Sequence, residues 1–226
     1  MHIGEGVLPI QWAAAWFAPA GVFVLKGIKE IQRRAREVPM TKPFLGVLGA
    51  AVFIISLLPI PVPITGTTAH PAGTPLAAIL VGPFISTVLA GVALFLQALF
   101  FAHGGLTTLG ANIFSEGVVG SFIGYAVFLL AKRGRLPLFW TGVLVGFLGD
   151  LSVYLTTSLQ LALALHGHQP MLEAMFTFFA AYLPAQLPLA ILEGVFTGLV
   201  LRFVAERRPD ILSRLRIWVP EKGVSQ

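Results

Sequence analysis

Long apolar stretches decide what this 226-residue chain can fold into. Nearly uninterrupted apolar blocks cover residues 44–60, 76–102 and 171–204. About 20 consecutive apolar residues are enough for a helix to cross the hydrocarbon core of a bilayer. Inside lipid, a helix satisfies its own backbone hydrogen bonds, whereas an open strand does not. The pattern therefore predicts an all-α, polytopic membrane protein of the cell membrane, surrounded by lipid.

The basic residues indicate how the chain is oriented in the membrane. All fifteen Lys and Arg residues lie in three clusters, within 26–42, 132–135 and 202–222. Basic residues collect on the cytoplasmic side of membrane proteins. The clusters therefore predict an N-terminus outside and a C-terminus in the cytoplasm. Because the net charge of +5 is explained by this orientation, no nucleic-acid partner is predicted.

The number of crossings depends on Gly82-Pro83. A single span over 75–102 would place the basic 132–135 turn outside, so one additional element is needed. Proline favours the first turn of a new helix, and a short element at 75–82 can therefore precede a helix at 83–102. We expect about seven transmembrane helical segments. The other segments are predicted at about 8–25, 43–60, 112–131, 137–164 and 172–204.

All five histidines fall on the predicted outer side: His2, His70, His103, His166 and His168. Histidine is the commonest metal ligand, and imidazole suits nickel, copper, zinc and cobalt. The chain has no cysteine, which excludes thiolate metal sites and disulfides. A histidine-based metal site at the outer face is therefore the leading chemical hypothesis.

Met1 and His2 provide the most specific metal-binding pattern. The α-amine, the His2 amide nitrogen and the His2 imidazole can close two fused chelate rings around one ion. Three nitrogens in a plane favour square-planar nickel(II) or copper(II) over tetrahedral zinc. This hypothesis takes Met1 as the mature N-terminus, because the first residues lack the basic region and cleavage site of a signal peptide.

A fourth donor should come from another outer loop. His70 is the first choice, because the loop from Gly66 to Thr74 is rich in small and turn-forming residues. His103 is the second choice, and the glycine, threonine and asparagine residues after it can hydrogen-bond the ligands. His166 and His168 flank Gly167 in a short turn, which favours a surface turn over a ligand pair.

Several motifs together resemble the CbiM/NikM family, the metal-capturing membrane (S) components of energy-coupling-factor cobalt and nickel transporters. They are the opening Met-His-Ile-Gly-Glu-Gly-Val-Leu-Pro, the Gly66–Thr74 loop running into Ile-Leu-Val-Gly82-Pro83, and Gln97-Ala-Leu followed by His103–Asn112. The resemblance covers nearly the whole chain. It implies seven helices and metal binding by the Met1 amine, the His2 amide and imidazole, and the His70 imidazole.

The resemblance also implies partners: a transmembrane coupling protein (T component), two ATP-binding subunits and often a small accessory membrane protein. The metal would be a transported substrate rather than a cofactor. Members of the family often carry methionine where this chain has Gly4, and Asn-Met where it has Ser115-Glu116. Glu116 could therefore add a negative charge near the outer mouth.

The expected organisation is one transmembrane domain over 1–226. Its outer metal-binding segment would be 1–8, and its cytoplasmic tail would begin at about 205. Asp150 and Glu193 fall near mid-membrane, where an ionisable group is either functional or a neutral hydrogen-bonding group between helices. The small-residue face of Gly117, Gly120 and Gly124 is a candidate docking surface for the coupling protein.

The predicted function is substrate capture for ATP-driven uptake, with nickel(II) first and cobalt(II) second. The alternatives are a cobalt-specific component feeding cobalamin synthesis and a stand-alone metal permease. No phosphate-binding Gly-x-x-x-x-Gly-Lys-Ser/Thr loop is present, so separate subunits must supply ATP hydrolysis. An enzyme is not predicted, because no His-Glu-x-x-His or Gly-x-Ser-x-Gly motif occurs.

Overall fold

The structure, a computed structural model, describes residues 2–57, 60–62 and 67–214. It is a helical bundle. Its α-helices are α1 (Ile10–Glu37), α2 (Thr41–Ile55), α3 (Thr74–Val81), α4 (Pro83–Phe101), α5 (Leu109–Asn112), α6 (Ser121–Arg133), α7 (Leu138–Leu165), α8 (Met171–Arg207) and α9 (Pro209–Arg214). A π-helix over Ile113–Gly120 joins α5 to α6. Met1, positions 63–66 of the 61–75 loop and the tail after 214 lie outside the described residues.

The helices up to α8 form seven helical segments, since α5, the π-helix and α6 are continuous. Among the described residues, four segments are long and apolar enough to cross a membrane: Pro83–Phe101, Leu109–Arg133, Leu138–Leu165 and Met171–Arg207. The prediction of an all-α polytopic membrane protein is confirmed.

The break between α3 and α4 lies at Gly82, as the sequence predicted. Gly82 has a φ of +87°, a region that side chains with a Cβ avoid, and Pro83 begins α4. Gly27 of α1 packs against the backbone of Phe84, and the Arg34 guanidinium reaches Gly82. The basic end of α1 therefore lies at the start of α4. His103 follows the opposite end of α4, which is the separation of basic and histidine-bearing ends that the charge pattern predicts.

A small antiparallel sheet lies at the histidine-bearing end. Its strands are β1 (His2–Ile3), β2 (Ile60–Val62) and β3 (Thr67–Ala69), in the order β1-β3-β2. His2 lies opposite Thr68, and Ile3 lies opposite Thr67. The sequence analysis did not predict this sheet. A strand of two residues is too short to show alternation, and its partner is more than 60 positions away along the chain.

Helices α7 and α8 approach each other backbone to backbone through glycines. A Cβ at Gly142 would lie 2.6 Å from the Cα of Gly198, and a Cβ at Gly146 would lie 2.7 Å from the carbonyl oxygen of Glu193. Small residues permit such close packing between membrane helices. The pair presents Tyr154 of α7 and Glu193 of α8 to the segment that carries His70.

The prediction of a docking surface for the coupling protein on the Leu109–Arg133 segment is wrong. Gly117, Gly120 and Gly124 are all buried within the chain. A Cβ at Gly120 would lie 2.8 Å from the Val153 side chain, and one at Gly124 would lie 2.9 Å from Pro75. These glycines let α3, α4 and α7 pack closely inside the protein, so a partner has no access to them.

Candidate metal site

His2 lies on β1 and is 1% exposed. The backbone of its neighbour Ile3 is bonded, on the side away from β3, by polar side chains at the start of the Leu109–Arg133 segment. The Ile3 amide donates to Asn112 Oδ1 at 2.8 Å, and the Ile3 carbonyl accepts from Thr108 Oγ1 at 2.7 Å and from Asn112 Nδ2 at 3.1 Å. Asn112 thus completes the hydrogen bonding that another strand would supply. This arrangement fixes the position of His2.

His70 follows β3 and is fully buried. The Tyr154 hydroxyl accepts from the His70 amide and donates to the His70 carbonyl, both at 3.1 Å. The Nδ1 of His70 lies 2.9 Å from the carbonyl oxygen of Pro71. A carbonyl only accepts hydrogen bonds, so the proton belongs on Nδ1. The Nε2 atom then carries the lone pair that can bind a metal.

Glu193 holds the residues just after His70. Its carboxylate accepts from the amides of Ala72 at 2.6 Å and Gly73 at 2.8 Å. Gly73, with a φ of +70°, precedes the first turn of α3. Sequence analysis left a functional role and a structural role open for Glu193, and these bonds make it an anchor for the His70 segment. Asp150 lies nearby and accepts a hydrogen bond from Gln186.

His103 joins the same group of imidazoles. Its amide donates to the Gln97 carbonyl at 3.2 Å, and its Nε2 lies 2.9 Å from Thr68 Oγ1, on β3. One ligand atom from each of His2, His70 and His103 lies within 4.8 Å of the other two. The ring centroids are 4.2 Å apart for His2 and His103, and 4.4 Å apart for His2 and His70.

Burial sets the protonation of these three imidazoles. Loss of water around the rings lowers the pKa of His2 and His70 well below 6.5 and lowers the pKa of His103 to about 4. All three are therefore neutral near pH 7. A neutral imidazole offers a lone pair to a metal ion without first losing a proton.

Glu116 contacts one member of this cluster. Its Oε2 atom is 3.5 Å from Nε2 of His2, and both side chains are fully buried. The expectation that Glu116 adds a negative charge near the outer mouth stays a prediction. The Glu5 carboxylate lines the cavity beside the cluster, where it is exposed and accepts from the Thr107 amide at 3.2 Å.

A cavity of about 650 Å³ opens at the histidine-bearing end of the protein and reaches two members of the cluster. Its lining includes His2, Glu5, Thr68, His103 and Gly105. A Cβ at Gly105 would lie 2.7 Å from the Cα of Glu5, so only glycine lets this loop close over the N-terminal segment. His2 and His103 line this cavity, whereas His70 is not part of its lining.

His166 and His168 lie away from the cluster. His166 ends α7, and its Nδ1 lies 3.0 Å from the carbonyl oxygen of Gln169. His168 is exposed beyond Gly167. These two histidines form a surface turn, as the sequence analysis favoured. Met1 lies outside the described residues, and its role stays a prediction.

Sequence analysis missed Tyr154, which bonds to both backbone groups of His70. A signal was present, because a tyrosine within an apolar span needs a partner for its hydroxyl. The sequence did not indicate what that partner was.

Known proteins are similar to this chain in sequence and in fold. Residues 2–211 match the CbiM family, described as "Cobalt uptake substrate-specific transmembrane region". The chain belongs to the CbiM family. A CbiM relative from Sorangium cellulosum, named cobalt transport protein CbiM, is 50% identical over 218 residues, 96% of each chain. The protein of the same name from Geobacter sulfurreducens is 46% identical over 217 residues, and the present chain spans 63% of its length.

Solved structures agree with this assignment to the CbiM family. A crystal structure of a truncated transition metal transporter matches with a TM-score of 0.79 at 29% identity, covering 92% of this chain and 99% of the other. A second structure, of a transition metal transporter, gives a TM-score of 0.73 at 27% identity over 96% and 100% of the two chains. The resemblance seen in the sequence is confirmed.

As a CbiM-family member, the chain is a multi-pass protein of the cell membrane and a component of metal uptake. The family consists of transporter components rather than enzymes. The metal is the transported substrate and not a cofactor. Members of the family work with membrane partners in a transporter complex.

Proposed function

We propose that this chain captures a divalent cobalt or nickel ion at the outer face and delivers it to an ATP-driven energy-coupling-factor transporter. One observation carries the proposal: three neutral, buried imidazoles converge beneath a cavity that opens outward. Among the described residues, Nδ1 of His2 and Nδ1 of His103 have no hydrogen-bond partner. Buried polar atoms are normally satisfied, and a bound ion would satisfy them.

The proposed ligands are the Met1 amine, the His2 amide and imidazole, and the His70 imidazole. The position of His2, with Nε2 toward Glu116, is compatible with Nδ1 closing the chelate ring. His103 is close enough to compete with His70 for the fourth position or to add a fifth donor. Planar nitrogen donors favour nickel(II), whereas the names of the relatives favour cobalt as the cargo.

The remaining parts of the proposal concern organisation and partners. One transmembrane domain over 1–226 would carry the outer segment 1–8 and a cytoplasmic tail from about 205. A transmembrane coupling protein and two ATP-binding subunits would provide energy, with a small accessory membrane protein as a further partner. The sequence supports this dependence, since it contains no phosphate-binding loop. The stand-alone permease is the alternative function.

The decisive experiment compares the native N-terminus with a version carrying one extra residue before Met1. Cobalt(II) and nickel(II) binding would be followed by calorimetry and visible absorption. The extension leaves every side chain in place and displaces only the amine, so we expect binding of both ions to weaken strongly and any square-planar nickel band to vanish. Unchanged binding would remove the amine from the ligand set and leave an imidazole cluster. Ion transport by the chain alone in liposomes would favour the permease.

A further inference from the structure

Glu116 is a buried acid at an unusual point of the backbone. It lies in the π-helix over Ile113–Gly120, with no exposed surface. π-Helical turns are rare and are frequently found at functional sites. The carboxylate of Glu116 lies beside the His2 imidazole, and buried charges are normally paired or hydrogen-bonded.

Glu116 contacts His2 at the Nε2 atom of its imidazole. Its Oε2 atom faces Nε2 of His2 at 3.5 Å. This separation is an electrostatic contact rather than a strong hydrogen bond. The group of possible ligand atoms within 4.8 Å of one another contains the three histidines and not Glu116. The carboxylate is therefore placed to act on the ion through His2.

We propose that Glu116 is a positioning residue that orients the His2 imidazole and offsets part of the charge of the captured ion. With the Nε2–H of His2 directed toward the carboxylate, the lone pair of Nδ1 faces the ion. This inference rests on the proposed function and names the residue that sets the ion affinity of that same site.

Two physical effects act in the same direction. A carboxylate behind a metal-binding imidazole fixes the ring and makes its nitrogen a better donor, and loss of such a partner typically weakens metal binding about 10–100-fold. The negative charge also attracts the divalent ion directly, and burial reduces the screening of that attraction. The other nearby acids are less suited: Glu5 is exposed, and Glu193 is bonded to the Ala72 and Gly73 amides.

The test is Glu116→Gln in the full chain, purified in detergent, with cobalt(II) and nickel(II) chloride as probes. Glutamine keeps the shape and removes the charge. We expect affinity for both ions to fall about 10–100-fold and the visible absorption of the bound ion to shift, because the His2 donor is weakened. The unfolding temperature of the ion-free protein should change little, since glutamine fills the same space and keeps groups that can form hydrogen bonds.

Ser115→Ala is the matched control. It changes the neighbouring buried side chain of the same π-helix, whose hydroxyl donates to the carbonyls of Ala111 and Asn112 rather than contacting a histidine. We expect wild-type affinity and an unchanged spectrum. If Glu116→Gln is not recovered folded, Glu116→Met, which fills a similar volume without charge, is measured in its place.

The outcomes separate the two proposals. If the wild-type protein binds neither ion, the proposed function fails. If the wild type binds and the uncharged variant matches it in affinity and spectrum, only the role of Glu116 is overturned. Weaker binding together with a lower unfolding temperature and an unchanged spectrum would show a packing role and would also overturn it.

Discussion

The histidines of this protein occupy two regions that differ in burial and in the residues they contact. His2, His70 and His103 are buried, neutral and within van der Waals reach of one another. His166 and His168 lie in the turn after α7, where His166 bonds to the chain beside it and His168 faces outward. The amino-acid composition does not distinguish among the five histidines. The difference shows that convergence and burial, rather than the presence of histidine, distinguish a metal site.

The two regions also differ in what holds them. Each histidine of the cluster, or the residue next to it, is bonded to a distant element: Ile3 to Asn112, His70 to Tyr154, and His103 to Thr68. The bond of His166 spans three residues. Long-range anchoring restricts the donor atoms before the ion arrives, which is what tight binding requires.

The largest effect should come from His70→Ala. This variant removes one proposed ligand and leaves a buried space without a donor. We expect cobalt(II) and nickel(II) affinity to fall by more than the roughly 10–100-fold typical of an outer residue, as measured by calorimetry. A variant that retained wild-type affinity would contradict the assignment of His70 and shift it to His103, for which His103→Ala is the companion measurement.

Tyr154→Phe should have an intermediate effect. It leaves the amide and carbonyl of His70 buried without their shared partner, and each unsatisfied group costs about 1–3 kcal/mol. We expect a lower unfolding temperature and roughly 10-fold weaker ion binding, which corresponds to about 1.4 kcal/mol. Tyr125→Phe, in α6 and away from the histidines, is the control. Equal behaviour of the two variants would show that the His70 segment needs no hydroxyl.

A smaller effect should appear when the pH of the ion-free protein is lowered. The folded pKa of His103 is depressed to about 4 from an ordinary value near 6.5. Between these values the unfolded chain binds more protons, so stability is lost as the pH falls from about 6.5 toward 4. Unfolding temperatures across this range should decrease for the wild type and decrease less for His103→Gln. Parallel curves would mean that the pKa of His103 is the same in the folded and unfolded protein.

The smallest effect should come from the exposed turn. We expect His166→Ala and His168→Ala, alone or combined, to leave ion affinity within about 0.5 kcal/mol of wild type, as for most surface substitutions. Calorimetry under the conditions used for His70→Ala provides the comparison. A clear loss of binding would give this turn a part in ion capture that its distance from the cluster does not suggest.

Sequence reasoning worked where the cause was local. The break at Gly82-Pro83, the helical segments and the surface turn around Gly167 all follow from the preferences of residues next to each other in the chain. It failed where the cause lay far away. Three contacts were not predicted: β1 with β3, Tyr154 with His70, and Glu116 with His2. Each joins residues separated by more than 60 positions, so only the packing of the folded chain determines it.

The candidate ligands show the same difference between local and long-range causes. His2 and His70 could be proposed because the N-terminal pattern and the small-residue loop are readable in the sequence. His103 could only be ranked behind His70, since nothing local shows that both imidazoles reach the same point. The structure brings all three together.

The anchors of the two proposed ligand segments belong to different helices. His2 is positioned through Ile3 by the start of the Leu109–Arg133 segment. The chain at His70 is tied to α7 through Tyr154 and to α8 through Glu193. An ion that joins His2 to His70 would therefore connect the Leu109–Arg133 segment with α7 and α8, and its affinity would depend on their spacing. A partner that moved the glycine-packed α7–α8 pair by about an ångström, an alteration large for a metal–nitrogen bond near 2 Å, could release the ion without touching any ligand.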